Sequence, residues 1–434
     1  MRIAFLNTLY PPHGPIGGAE TTLRFLAQSL AGRGHSCAVI TLTPERRQSQ
    51  AELDGIPVHY LPLANVYWPH GGDRPRALRP IFQAIEAYNP IMARRLGRVL
   101  DEVRPDVINA HNLQGFSVSA WVAARRLGIP IVQTVHDYYL ACPRSTMWRP
   151  GKPNCAIPCA ECRLFAMPRR LLSHLPQSVT CVSHRVLNRL AAAGVFRGAQ
   201  ARIIRGNNLE PGPFIPTRRG RDGPLRLGFI GRLDPSKGLE TLLDSLMGFD
   251  PGLVQLSVAG SGAPVYEAAL RSRGAPRNDV TFLGHVAPVS FFPAIDLLVI
   301  PSAWEEPFAR VFHEALSYGV PSLIMPLGGL PEAVDHGRTG LVAPTPDADG
   351  LRAIIGRLLD TRWDPTAMRQ ACLKAAELYS ADRIVGQYEA VLEAAAAGRE
   401  PPPWAGEMWR STEESLPTPS DLSAEEWRCA DLES

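Results

Sequence analysis

Leu225-Arg-Leu-Gly-Phe-Ile-Gly-Arg-Leu-Asp-Pro-Ser-Lys-Gly-Leu239 is the stretch that decides the fold. Its first six residues, apolar but for Arg226, follow the Pro/Gly/Arg-rich segment Pro211–Pro224, so they read as a strand after a linker. Arg232 and Lys237 leave the end of that strand and flank the start of the next apolar-periodic segment. Gly231 and Gly238 let a ligand come close to the backbone, and two cations beside free helix N–H groups suit a diphosphate. The glycine and lysine spacing is not that of a P-loop.

The same alternation of strand and helix extends in both directions. Downstream, Val254–Ala259, Val280–Leu283, Leu297–Pro301 and Ser322–Met325 read as strands, each followed by loop or helix. Upstream, Arg2–Leu6, a loop through Gly17-Gly18, an amphipathic helix to Leu30 and the strand Cys37–Leu42 make a β-loop-α-β unit. Further strands are expected at Val107–Ala110, Ile131–Val135 and Val179–Val182, between helices such as Ile91–Val103 and Val118–Leu127. The expected class is α/β with two doubly wound, Rossmann-like domains, spanning 1–210 and 211–378. A helix over 379–397 should cross back to the first domain. The tail 398–434, with nine acidic residues against three Arg, is expected to lack regular structure.

The chain has 434 residues, 45% of them hydrophobic, which is ample for two large cores. It has no run of eighteen apolar residues, and Met1–Tyr10 reads as a strand rather than a signal peptide, so the expected location is cytoplasmic. Residues 1–214 hold 25 Lys+Arg against 12 Asp+Glu, a balance of +13, while 215–434 hold 20 against 30, a balance of −10. The basic half can face an anionic membrane surface or acceptor. Nucleic acid is not an expected partner, because no basic tract is interleaved with aromatics. Arg outnumbers Lys 42 to 3, which singles out Lys237 as a chosen ammonium.

A second stretch pairs two carboxylates: Ala303-Trp-Glu-Glu-Pro-Phe-Ala-Arg-Val-Phe-His-Glu-Ala-Leu-Ser-Tyr-Gly319. Pro307 suits a first helical position, which places Glu306 at the N-cap and Glu314 two turns inside. Gly17-Gly18 and Gly260-Ser-Gly262 are further glycine turns after strands. Each such feature alone is common turn chemistry or a dipole-complementing acid. Asp347-Ala-Asp349 matches a D-x-D metal pattern but opens a helical run, so first-turn acids are the better reading.

Taken together, these residues resemble the family-4 retaining glycosyltransferases of the GT-B fold, over about residues 1–395. The most specific element is Glu306 and Glu314 within Glu-Pro-Phe-Ala-Arg-Val-Phe-His-Glu-Ala. Supporting matches are Gly231-Arg232 with Lys237-Gly238, Gly17-Gly18-Ala19-Glu20, His136-Asp137 after a strand, Asn207, Gly260-Ser-Gly262 and Gly328-Gly-Leu-Pro-Glu332. The resemblance implies transfer of a sugar, with retention, from a nucleotide-sugar to an acceptor hydroxyl in a cleft between the domains. UDP- or GDP-hexose is the expected donor and an acceptor sugar or lipid-linked glycan the expected acceptor, in polysaccharide or glycolipid synthesis, with the lipid-linked acceptor and peripheral membrane contact expected from the +13 and −10 charge split alone. It further implies that Arg232 and Lys237 hold the diphosphate, Glu306 bonds sugar hydroxyls, Glu314 bonds the ribose, and His136 approaches the donor sugar. Gly17, Gly18, Gly260 and Gly262 fall on its substrate-binding turns. Two departures stand out: Ala309 replaces a common Gly, and Gly206-Asn207-Asn208 replaces a Pro-Asn-Gly turn.

The chemistry agrees with the residues. Breaking a glycosyl–phosphate bond builds negative charge on the diphosphate, so cations and a helix N-terminus there carry much of the catalysis. With Arg232 and Lys237 to neutralise the leaving group, no metal is expected to be required for transfer. Glu306 is not read as a nucleophile, since Glu314 lies too deep in its helix to share one bond with it. A two-domain nucleotide-binding oxidoreductase is the rival, but it wants G-x-G-x-x-G after the first strand, where this chain has Gly14-Pro-Ile-Gly-Gly18. A non-catalytic sugar-nucleotide binder is the other alternative.

One feature lies outside that pattern. Cys142, Cys155, Cys159 and Cys162 gather half of the eight cysteines into 21 residues, spaced C-x12-C-x3-C-x2-C. In a chain read as cytoplasmic, four thiolates suit a tetrahedral structural zinc, with an iron–sulfur cluster, free thiols or a redox pair as alternatives.

Overall fold

The computed structural model describes residues 1–13, 17–71, 75–197, 199–205, 223–361, 363 and 365–409. Asn207, most of the 211–224 linker and the tail beyond 409 lie outside the described residues. The chain divides into two compact units. Unit 1 holds the described residues of Met1–Met147, Cys155–Asn208 and Asp382–Thr412, and unit 2 those of Trp148–Asn154 and Leu209–Ala381.

In unit 1 the strands are β1 (Arg2–Leu6), β2 (Ser36–Thr43), β3 (Ser49–Leu53), β4 (Ile56–Pro62), β5 (Val107–Ala110), β6 (Ile131–Val135), β7 (Ser178–Cys181) and β8 (Ala201–Ile203). Unit 2 carries β9 (Leu225–Ile230), β10 (Val254–Ala259), β11 (Val280–Gly284), β12 (Leu297–Ile300), β13 (Ser322–Ile324) and β14 (Gly340–Val342). A last strand, β15 (Glu407–Trp409), returns to unit 1. The nine-stranded sheet runs β15-β8-β7-β6-β5-β1-β2-β4-β3, parallel except where β3 meets β4 and β15 meets β8. The six-stranded sheet of unit 2 runs β11-β10-β9-β12-β13-β14 and is parallel throughout.

Parallel sheets covered on both faces read as continuous apolar runs, and Ile3, Ala4, Phe5 and Leu6 of β1 are all buried. The helix Gly18–Gly32 presents Leu23, Leu26, Ala27 and Leu30 to that sheet at helical spacing. The helix Ala381–Ala396 completes the same core with Ile384, Tyr388, Val391 and Leu392. Its outer side is tied down where Glu389 accepts from His35 Nε2 at 2.7 Å and from Arg33. In unit 2, Leu227, Phe229, Val258, Val299 and Leu323 pack with Leu242, Leu246, Ile355 and Leu358. Each leucine so buried contributes about 2 kcal/mol.

The structure corrects the sequence reading in three places. The helix expected from Pro307 begins at Arg310, with Ala309 as its N-cap, so Glu306 precedes the helix rather than capping it. The cause is local: the Glu306 carbonyl accepts from Gly329 N–H at 2.9 Å instead of from the next helical turn, and a residue before proline avoids helical geometry. Secondly, part of the 398–434 tail is regular. Glu407–Trp409 pairs antiparallel with Ala201–Ile203, and Ala405 is fully buried. Thirdly, Trp148–Asn154 groups with unit 2 rather than with the rest of the cysteine-rich loop. Within unit 2, Asn154 Oδ1 accepts from Glu305 N at 3.0 Å.

Candidate active site

Unit 2 gathers its candidate residues on loops at the carboxyl ends of β9, β10, β12 and β13. Lys237 lies on the short 3₁₀ turn Pro235–Lys237, fixed by Asp234, whose Oδ1 accepts from Ser236 N at 3.0 Å. Its ammonium pairs with the Glu306 carboxylate. The other Glu306 oxygen accepts from Ser302 Oγ at 2.5 Å, and the residue is buried at 6% exposure. Arg232 is exposed on the same loop as Lys237, and no contact with a described residue occupies its guanidinium. Glu314 pairs with Arg310 one helical turn before it, Nε to Oε1 at 3.0 Å.

Glycines hold these loops against one another. A Cβ on Gly260 would lie 1.8 Å from Gly231 O, and one on Gly262 would lie 2.0 Å from Leu233 O. Leu233 N donates to Ser261 O at 2.9 Å across this contact. Gly238, at φ +68°, leaves only 1.9 Å between such an atom and Pro301 O, while Ala303 N donates to Ser236 O at 2.9 Å. Gly328, at φ +73°, lies equally close over Glu306, with 2.2 Å to its carbonyl. Backbone therefore packs on backbone, so the Lys237 and Glu306 loops are mutually fixed. Gly231, by contrast, has open space where a Cβ would stand.

Unit 1 places its candidates after β1, β5 and β6. His136 and His111 stack at 5.0 Å between ring centroids, with His136 Nε2 and His111 Nδ1 2.8 Å apart. His111 Nε2 meets Asn109 Oδ1 at 2.7 Å, while Asn109 Nδ2 donates to Thr134 Oγ1 at 2.9 Å. With the amide so oriented, His111 carries its proton on Nε2, and His136 Nε2–H donates to His111 Nδ1. Burial pushes His136 down to about 4 and His111 well below its ordinary value, so both rings are neutral. Gly17 and Gly18 are exposed at the start of the Gly18–Gly32 helix, where Glu20 Oε2 accepts from Gly17 N at 2.9 Å. Buried Asn7 joins the two parts: its amide reaches Glu20 Oε1 at 3.5 Å and its Oδ1 accepts from Asn112 N at 3.1 Å.

A family model described as Glycosyltransferase Family 4 matches residues 16–206, and one described as Glycosyl transferases group 1 matches residues 224–361. The chain belongs to the family-4 glycosyltransferases of the GT-B fold. This glycosyltransferase is 28% identical to an uncharacterized 42.6 kDa protein in the cps region of Klebsiella pneumoniae, covering 76% of this chain and 87% of that one. It is 27% identical to a glycogen synthase of Mycobacterium tuberculosis, covering 88% and 91%. In fold it is similar to the sucrose-phosphate synthase from Thermosynechococcus elongatus, with TM-score 0.71, 19% identity and coverage of 92% and 99%. The matches favour transferase chemistry over the oxidoreductase alternative.

The transferase thus brings Lys237, Glu306 and the glycine turns at 231, 238, 260 and 262 together in unit 2, while in unit 1 His136 stacks on His111 and Gly17 and Gly18 stand exposed at a helix start. Sequence reasoning missed His111, Asn109, Ser302 and Asn154. His111 had a readable signal, since it follows β5 as His136 follows β6, and these strands are parallel neighbours. Asp347 behaves as the helix-opening acid expected, accepting from Gly350 N at 2.9 Å, and that bond is what lowers its pKa. In the cysteine-rich loop, Cys162 holds the Cys142 thiol down to about 6, with backbone N–H groups of Arg144 and Met147 assisting. The same contact pushes the Cys162 thiol far up.

Proposed function

We propose that this glycosyltransferase moves a hexose, with retention, from a UDP- or GDP-hexose to the hydroxyl of an acceptor sugar or lipid-linked glycan. The observation that carries the reading is the Lys237–Glu306 pair at the strand ends of unit 2, beside exposed Arg232. A buried carboxylate next to an ammonium separates two tasks. Lys237 and Arg232 neutralise the diphosphate as the glycosyl bond breaks, and Glu306, held by Ser302, accepts hydrogen bonds from sugar hydroxyls. Glu314, paired with Arg310 inside its helix, takes the ribose in this reading and is not placed to flank the reacting carbon opposite Glu306. His136, neutral and donating its Nε2 proton to His111, keeps Nδ1 as an acceptor for a donor-sugar hydroxyl. Two cations at the leaving group are the reason no metal is assigned to the transfer step.

The acceptor side of the proposal rests on one helix. Ala160–Leu172 exposes Leu164 (65%), Met167 (52%) and Leu171 (63%) in line, with exposed Arg163 and Arg170 beside them. A basic helix with an uncovered apolar face suits the interface of an anionic membrane, and no described helix is long and apolar enough to span one. A cytoplasmic location at the inner membrane face, and a part in polysaccharide or glycolipid synthesis, belong to the same proposal.

A panel of nucleotide-sugars tests it. One or more UDP- or GDP-hexoses should raise the melting temperature and be consumed on addition of acceptor, with the donor's anomeric configuration kept in the product by NMR. Stabilisation by none of the panel, or an inverted product, would overturn the corresponding half of the reading.

A further inference from the structure

We propose that Cys142, Cys155, Cys159 and Cys162 bind one structural zinc ion as four thiolates. The loop needs something of the kind. Between β6 and the Ala160–Leu172 helix there is no helix or strand, and from 143 to 159 Met147 is the one buried residue. A segment of that length with so little apolar contact has no core of its own to order it.

Its backbone is nonetheless bent into a sulfur-binding turn. Cys142 N donates to Tyr138 O at 2.8 Å, Ser145 N to Cys142 O at 2.9 Å, and Ser145 and Met147 take left-handed φ values of 63° and 49°. The turn directs the N–H groups of Arg144 and Met147 at the Cys142 sulfur. Two amides converging on one sulfur, from a backbone conformation unfavourable to side chains, form the support expected behind a metal-bound thiolate. Cys155 is fixed beside this turn, its N–H donating to Met147 O at 2.8 Å.

The other two sulfurs come from one helical turn. Cys159 is the N-cap of Ala160–Leu172 and Cys162 its third residue, so a C-x2-C spacing aims both toward one point at a helix N-terminus. Cys162 touches the sulfurs of both Cys142 and Cys159. Three of the four ligands are therefore linked in a chain, and half-buried Cys155 and exposed Cys159 must draw in to close the tetrahedron. Among the described residues, three donor atoms lying within 4.8 Å of one another occur at His35, Glu389 and Glu393, but Arg33 and His35 already occupy both Glu389 oxygens. On binding, each cysteine that is still protonated gives its proton to solvent. The ion's effect reaches the active site through Asp137, next to His136, whose carboxylate accepts from Tyr139 N at 2.7 Å and from the Ser145 side chain.

Metal analysis of the full chain, purified without a histidine tag, should give about one zinc per chain, lost in Cys159→Ser/Cys162→Ser. Because that variant can fail to fold, chelator-stripped wild type is titrated with cobalt(II), which should give the intense visible bands of a tetrahedral thiolate site. Both readouts are independent of donor, acceptor and activity. Zinc well below one per chain with no thiolate–cobalt bands would overturn the proposal. So would iron with cluster absorption, or a disulfide among the four cysteines by mass spectrometry.

Discussion

The glycine-rich loops of unit 2 and the His136 loop of unit 1 reach precise geometry by opposite means. In unit 2 the carbonyls of Gly231, Leu233, Pro301 and Glu306 press against glycines where a Cβ would lie about 2 Å away, so loop positions are set by close-packed backbone. In unit 1 a chain of side-chain hydrogen bonds, Thr134 to Asn109 to His111 to His136, sets the geometry. The first design resists movement through steric repulsion. The second depends on every polar group keeping its partner, and fails when one is removed.

The sharpest way to break this comparison is to remove charge from unit 2 without disturbing its packing. Lys237→Ala and Glu306→Gln should each lower turnover about a hundredfold, about 3 kcal/mol, with little change in melting temperature. Turnover within a few-fold of wild type in either variant would remove the pair from catalysis. Next in size is Gly260→Ala, which sets a methyl 1.8 Å from Gly231 O and should cost about 3 kcal/mol of stability by denaturant titration. A neutral result there would show that the loops are pliable and the contrast between units overstated.

Unit 1 should answer to pH instead. His136 is held at about 4, below the ordinary 6.5, so the unfolded chain binds a proton that the native state refuses. Stability should then be lost as pH falls through the window from about 6.5 to about 4, by at most about 3.5 kcal/mol at 1.4 kcal/mol per pH unit. His136→Asn should flatten part of that slope in urea titrations across the window, and an unchanged slope would place the ring in water. The smallest effect expected is for Asp347→Ala: about 1 kcal/mol from the lost helix cap, with turnover unchanged whatever divalent ion is present.

Much of this was legible in advance, for physical reasons that also explain the misses. β1 follows from an unbroken apolar run, and β5, β6, β9 and β10 from short Val-, Ile- and Leu-rich runs broken by only one or two polar residues, as expected of strands in a covered parallel sheet. The β3–β4 hairpin was not read, since Ser49–Glu52 is exposed and offers no apolar period. β15 hid in an acidic Pro-rich tail because its partner is just over two hundred residues away in sequence. Lys237 is legible from its strand-end glycines and Glu306 from Pro307 after it, yet the expected helix start falls three residues early. No local pattern reveals that the Glu306 carbonyl is taken by Gly329. Asn109 and Thr134 look like ordinary strand residues until sheet order places β5 beside β6.

The central claim is that a nucleoside diphosphate is held at Lys237 and Arg232. Titration calorimetry of the full chain with UDP and with GDP, beside Lys237→Ala, tests it most directly. One nucleotide should bind wild type and bind Lys237→Ala at least about tenfold more weakly, the loss of a charge-assisted contact of roughly 1.4 kcal/mol or more. Equal affinity in the two proteins would contradict the assignment.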